Sequence, residues 1–124
     1  MATVSLTREN FESVVADHEL VLVDFWAARC APCRAFAPTY EAASEQHPDV
    51  VFGKVDTQTQ HELAAAFGIR SIPTLMVFRE KVILYAEAGA LPPALLEEVI
   101  AKTRTVDMAE VHREIAAGPA APER

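Results

Sequence analysis

Cys30 and Cys33 are the two cysteines of this 124-residue chain, and they stand three apart in DFWAARCAPCR, residues 24–34. Such a pair can cycle between dithiol and disulfide, supply two ligands to a metal, or pack as two small apolar side chains. Side chains three apart on a helical turn have the separation that a disulfide needs. Pro32 lies inside the pair and suits a first helical residue. A helix start presents unpaired amide groups and the positive end of the helix dipole. Both favour a thiolate, the nucleophile of disulfide exchange. On that reading Cys30 attacks and Cys33 resolves the mixed disulfide.

The other two readings explain less. A structural zinc site takes four ligands. One Cys-x-x-Cys leaves two missing, and His18, His47, His61 and His112 are not at paired metal spacing. No metal is expected. Inert packing gives no reason for a proline and a helix start at the pair. A strand, then Cys-x-x-Cys, then a helix in an α/β pattern is the redox arrangement.

The elements that position the pair follow from periodicity. Residues 3–5 read as a short strand, and Thr7 as the N-cap of a helix over 8–17 with Phe11, Val14 and Val15 at helical spacing. LVLVDFW, residues 20–26, is apolar except for Asp24, as in a central strand covered on both faces. A helix over 32–46 starts at Pro32 and is expected to kink at Pro38, where the ring removes a helix hydrogen bond. Residues 50–55 read as a second core strand, and 60–67 as a short helix ended by Gly68. Strands over 74–78 and 82–86 form a hairpin around Glu80–Lys81, which lacks the Asn-Gly that two-residue turns favour. A helix over 91–102 starts at two prolines, and 105–116 reads as a further short helix. The terminal AAGPAAPER reads as a frayed tail. Alternating strands and helices imply an α/β fold with a central mixed sheet and helices on both faces.

Composition sets outer bounds. The length suffices for one domain with a core, and half of the residues are hydrophobic, so a globular fold is expected. A net charge of −7 argues against nucleic acid and anionic membranes as partners. The apolar runs are too short to span a bilayer, and MATVSLTREN has no basic stretch before a long apolar one. A cytoplasmic location is expected. In a reducing compartment a close cysteine pair is more often catalytic or metal-binding than a permanent staple.

LVLVDFWAARCAPCRAFAP, with GIRSIPTLMVF and EAGAL further on, resembles the thioredoxin family over residues 3–104. Three motifs in the same order make the resemblance far more specific than Cys-x-x-Cys alone. It implies the thioredoxin fold in a domain over 1–104, with 105–124 as a C-terminal extension. It also implies a protein-disulfide reductase with no bound cofactor, recharged with NADPH electrons by a thioredoxin reductase; a monomer is expected. By position Cys30 matches the family's nucleophile, Cys33 its resolving cysteine and Asp24 a buried carboxylate beneath the disulfide. Burial raises a carboxylate's pKa, so Asp24 is expected to accept the proton of Cys33. Lys54 matches a lysine that tunes this aspartate, and Trp26 an aromatic beside the site. Ile72 and Pro73 match a cis-proline loop that pairs with an extended substrate segment. Gly89 and Ala90 match a second loop on that groove.

Two residues depart from the family pattern. Arg29 stands where tryptophan is usual before the first cysteine, and Ala31 where glycine is usual after it. Arg29 places a fixed charge beside Cys30 that favours the thiolate and acidic or polar partner segments. Ala31 removes a glycine's backbone freedom. The expected activity is reduction of protein disulfides at Cys30 and Cys33. The alternatives are a specialised oxidant or isomerase, and a protein-binding module with secondary redox activity.

Overall fold

A computed structural model describes residues 2–118 of the chain. The elements are β1 (Thr3–Ser5), α1 (Phe11–Asp17), β2 (Leu20–Trp26), α2 (Ala31–Gln46), β3 (Val51–Asp56) and α3 (His61–Ala66). They continue with β4 (Thr74–Arg79), β5 (Val82–Ala88), α4 (Pro93–Arg104) and α5 (Met108–Ala117). The strands form one sheet in the order β1-β3-β2-β4-β5. β1, β3 and β2 run parallel, whereas β4 is antiparallel to β2 and β5 to β4.

The apolar run of β2 is central because it has two faces to bury. Leu20 and Leu22 pack with Phe36 and Tyr40 of α2 and Leu96 and Ile100 of α4. Val21, Val23 and Phe25 point the other way, toward Phe11 and Val15 of α1, with Leu63 and Phe67 at the margin. Strand alternation therefore places Asp24 on the face that α2 and α4 cover. α2 starts at the end of the sheet where β2 stops, so its first turn stands at the head of that face. Gly53 of β3 fits the opposite layer closely, since a Cβ there would overlap the side chain of Leu6.

Several element ends differ from expectation, each for a local reason. Thr7 does not cap α1. Its carbonyl accepts from the Asn10 and Phe11 amides in a turn over 8–10, and Asn10 is the N-cap. The Asn10 side chain faces backward, accepting from the Thr7 N–H at 2.7 Å and donating to Ser5 O at 3.1 Å. It thus serves the incoming chain and not the helix. α2 begins at Ala31, so Pro32 is its second residue, and the helix continues through Pro38. α4 begins at Pro93 and not Leu91, because Pro92, standing before a proline, is held extended at φ −63°, ψ 157°.

The β4–β5 hairpin closes through a two-residue turn despite its sequence. Glu80 and Lys81 both adopt positive φ, 51° and 70°, as a type I′ turn requires. Arg79 pairs with Val82 and Phe78 with Ile83, but Val77 pairs with Tyr85, so one residue of β5 bulges. The helix expected over 105–116 forms as α5. Asp107 caps it by accepting from the Glu110 N–H, and Met108 is buried. Of the terminal segment expected to fray, residues 119–124 lie outside the described residues. No described helix is long and apolar enough to cross a membrane.

Candidate active site

Cys30 is the N-cap of α2, and it forms a disulfide with Cys33 across a Cα–Cα distance of 5.2 Å. The Cys33 amide donates to Cys30 Sγ at 3.1 Å. Pro32 has no N–H, so the Cys33 amide is the donor of this first turn aimed at the sulfur. The Arg34 amide closes the turn on Cys30 O at 3.1 Å, and the Cys30 amide donates to Ala27 O at 3.2 Å. The two sulfurs differ in access. Cys33 is 3% exposed, whereas Cys30 is half-buried.

Cys30 lies against the loop before β4. Cys30 Sγ lies 3.5 Å from the Ile72 carbonyl oxygen, a contact that becomes a hydrogen bond only when Cys30 is reduced to the thiol. The Ile72–Pro73 peptide bond is cis. Pro73 O accepts from the Gly89 N–H at 2.8 Å, which ties the end of β5 to the same loop. Gly89 has φ +117°, a backbone state that glycine takes without the usual penalty. These contacts bring Cys30, Cys33, Ile72, Pro73 and Gly89 together at one end of the sheet. Ala90 follows as an exposed loop residue with no recorded hydrogen bond to the group.

Asp24 is 1% exposed, and neither carboxylate oxygen has a hydrogen-bond partner among the described residues. Burial pushes its pKa from 3.8 up to about 7, against a smaller downward pull from Lys54. Lys54 is the register partner of Asp24 on β3, yet the two form no ion pair. The Lys54 ammonium instead lies 4.8 Å from the centre of the Trp26 ring. Trp26 ends β2, and its carbonyl accepts from the Thr57 amide at 2.9 Å. Tyr40, fully buried in α2, donates its hydroxyl to Gly53 O at 2.8 Å. Its pKa is driven well above the usual tyrosine value by burial and then by the nearby Asp24 charge.

Arg29 and Ala31 are exposed beside the disulfide, and Arg29 has no ion-pair or hydrogen-bond partner among the described residues. Arg34 and Tyr40 also belong to the site, although no motif marks either one. Arg34 Nη1 donates to Ala28 O at 2.9 Å and so braces the loop that carries Arg29. Its position directly after Cys33 was the available signal. Tyr40 reads from sequence as a plain core aromatic, and only the fold sets it near Asp24. His47 and His112 pair with Glu97 and Glu80, and His18 contacts its own helix carbonyl at Val14, all away from the cysteines. No three His, Cys, Asp or Glu side chains converge among the described residues as a metal site would require.

Comparison with known proteins agrees with this geometry. The thioredoxin family model matches residues 2–102. A putative thioredoxin 2 of Streptomyces coelicolor is 57% identical over 115 residues, covering 93% of this chain and 86% of that one. A thioredoxin of Porphyra purpurea is 38% identical, covering 82% of this chain and 97% of that one. The thioredoxin structure of Plasmodium falciparum superposes with a TM-score of 0.75 at 34% identity, covering 81% of this chain and 98% of that one. The chain belongs to the thioredoxin family, is a protein-disulfide reductase, and works by dithiol–disulfide exchange at Cys30 and Cys33.

Proposed function

We propose that Cys30 is the attacking sulfur, Cys33 the resolving one, and Asp24 the group that takes the proton from Cys33. The observation that carries this order is access: Cys30 is half-buried and Cys33 is buried. In the reduced protein the Cys30 thiolate attacks one sulfur of a substrate disulfide. A mixed disulfide forms and the first substrate thiolate leaves. Cys33 then loses its proton to Asp24, directly or through water, and attacks Cys30 Sγ. The second substrate thiolate leaves, and the Cys30–Cys33 disulfide closes. Two electrons pass from protein to substrate, and the released thiolates take up two protons. A carboxylate with a pKa of about 7 is suited to receiving a proton near neutral pH.

The exposed backbone at Ile72 and the loop at Gly89 and Ala90 offer an extended substrate segment a place to lie beside Cys30. Lys54 and Trp26 hold the electrostatic setting of Asp24, and Ala31 and Pro32 the shape of the first helical turn. In this reading NADPH, through a thioredoxin reductase, returns the dithiol, and the protein acts as a cytoplasmic monomer. Redox work falls to residues 1–104, with 105–124 as an extension.

The test is reduction of insulin disulfides driven by NADPH and a thioredoxin reductase. The parent protein turns over. Cys30→Ser abolishes reaction with substrate, whereas Cys33→Ser accumulates a covalent mixed disulfide through Cys30. A trapped intermediate in Cys30→Ser would reverse the assignment, and one in neither variant would remove it.

A further inference from the structure

The cations of this acidic chain are distributed unevenly. Arg8, Arg79, Lys102, Arg104 and Arg113 each pair with a carboxylate, on Glu62, Glu19, Glu98, Asp49 and Glu110. Arg29, Arg34, Lys54, Arg70 and Lys81 have no carboxylate within 4 Å among the described residues. Of these, only Lys81 lies at the opposite, hairpin-turn end of the sheet. Arg29 precedes Cys30, and Arg34 follows Cys33 with its guanidinium bound back over Ala28. Arg70 stands two residues before Ile72, whose carbonyl touches Cys30 Sγ.

Arg29, Arg34 and Arg70 are all exposed, so their charge is open to an incoming partner. None of the carboxylates at this end pairs with these arginines among the described residues. Asp24 is buried and Glu62 is paired with Arg8, which leaves Asp56 and Glu87 as charged neighbours, Glu87 in a groove of about 250 Å³ that Arg70 also lines. The rest of the chain carries the negative excess. An acidic partner is repelled by the net negative charge and attracted by a local cluster of cations, so the cluster orients its approach.

We propose that Arg29, Arg34 and Arg70 form a cationic rim around Cys30 that selects disulfides flanked by aspartate or glutamate. The inference rests on the reductase reading above and adds the substrate class. The rim acts on encounter: an acidic segment that lies along the Ile72 loop places its carboxylates against guanidinium groups able to bind them in bidentate fashion. It is a specificity device, distinct from any effect of Arg29 on the reactivity of Cys30. A change in nucleophile reactivity scales the rates of all substrates together, whereas a rim changes their ratio.

The experiment uses the full chain, pre-reduced and freed of reductant, in single-turnover reaction with two peptides. Each peptide contains one internal disulfide, and they are identical except for four flanking aspartates in one and four lysines in the other. At low salt the aspartate peptide is expected to react about tenfold faster or more, and the ratio should fall toward one as salt approaches about 0.5 M. Arg70→Glu, which removes no side-chain hydrogen bond or ion pair among the described residues, should lower the ratio several-fold. Arg29→Glu combined with Arg70→Glu should bring it to one or invert it. Equal rates for both peptides in the parent protein, or a ratio unmoved by either variant, would overturn the rim while leaving the reductase reading intact. Reaction with neither peptide would overturn both.

Discussion

The Lys54 ammonium lies 4.8 Å from the Trp26 ring centre, although its register partner across the sheet is Asp24. Lys54, the cation that acts on the buried carboxylate among the described residues, is thus engaged by an aromatic face and not by the carboxylate. Asp24 receives only a weak downward pull, and desolvation wins. This is why a carboxyl group at the heart of an apolar strand can hold a proton near neutral pH.

Lys54→Met is expected to raise the Asp24 pKa above about 7, because it deletes the downward influence and leaves burial. The pH dependence of mixed-disulfide resolution should move up with it. Titration of the Asp24 carboxyl carbon by NMR in both proteins measures the shift. An unchanged or lower midpoint would show that Lys54 does not tune Asp24.

Asp24 also makes stability depend on pH. In the unfolded chain it titrates near 3.8 and in the fold at about 7. Below the lower value both states are protonated and the group is neutral to folding. Between the two, the unfolded chain has released its proton and the fold has not, so stability falls as pH rises. Above about 7 the whole penalty applies, on the order of 4 kcal/mol at about 1.4 kcal/mol per unit. Asp24→Ala removes that penalty at the cost of a small void, about 1 kcal/mol. The variant should exceed the parent by on the order of 2–3 kcal/mol at pH 8.5, with no gain at pH 4. Urea unfolding of both oxidised proteins at pH 4, 6 and 8.5 tests it. A difference that stays constant with pH would refute the assignment.

The site was legible where local chemistry determines structure. A cysteine pair with Pro32 inside it, after a run such as LVLVDFW, leaves the chain few choices but strand, cap and helix. What sequence could not show was how side chains choose among neighbours. Lys54 and Asp24 look like an ion pair in the parallel register, yet Trp26 takes the lysine. Asn10 looks like an interior helix residue after a Thr7 cap, yet its amide turns back to Ser5 and Thr7. Such choices are settled by competition between partners distant in sequence, and local propensity carries no record of it.

The hairpin turn offers a stability gain. Glu80 and Lys81 hold positive φ with side chains that disfavour it. Glu80 has a reason to stay, since its carboxylate accepts from His112 of α5 at 2.7 Å. Lys81 is exposed and without a recorded partner among the described residues. Lys81→Gly should therefore stabilise the protein by about 0.5–1 kcal/mol, a rise of a few degrees in Tm. Calorimetry decides, and a fall in Tm would mean that glycine's cost in the unfolded chain outweighs the relieved turn.

Arg79 is the brace between the sheet and the C-terminal helices. Its Nη1 donates to Thr103 O, Arg104 O and Val106 O at 2.9, 3.1 and 2.9 Å, and its Nη2 lies 3.3 Å from Glu19. Thr103 O and Arg104 O are last-turn carbonyls of α4, where a guanidinium complements the helix dipole, and Val106 O belongs to the linker before α5. Arg79→Met keeps the apolar stem and removes every one of these donors. The loss should be about 1–3 kcal/mol, because water can reach part of the freed backbone. It should also be local. Amide exchange should accelerate from Arg104 through α5, while β2 and β3 keep their protection relative to global unfolding. The rate of disulfide reduction should stay within about twofold, since the brace lies at the end of the sheet opposite Cys30. Uniform acceleration across the sheet would instead make Arg79 a support of the whole core, and unchanged exchange in α5 would mean that Met108 and the Glu80–His112 contact hold the helix without it.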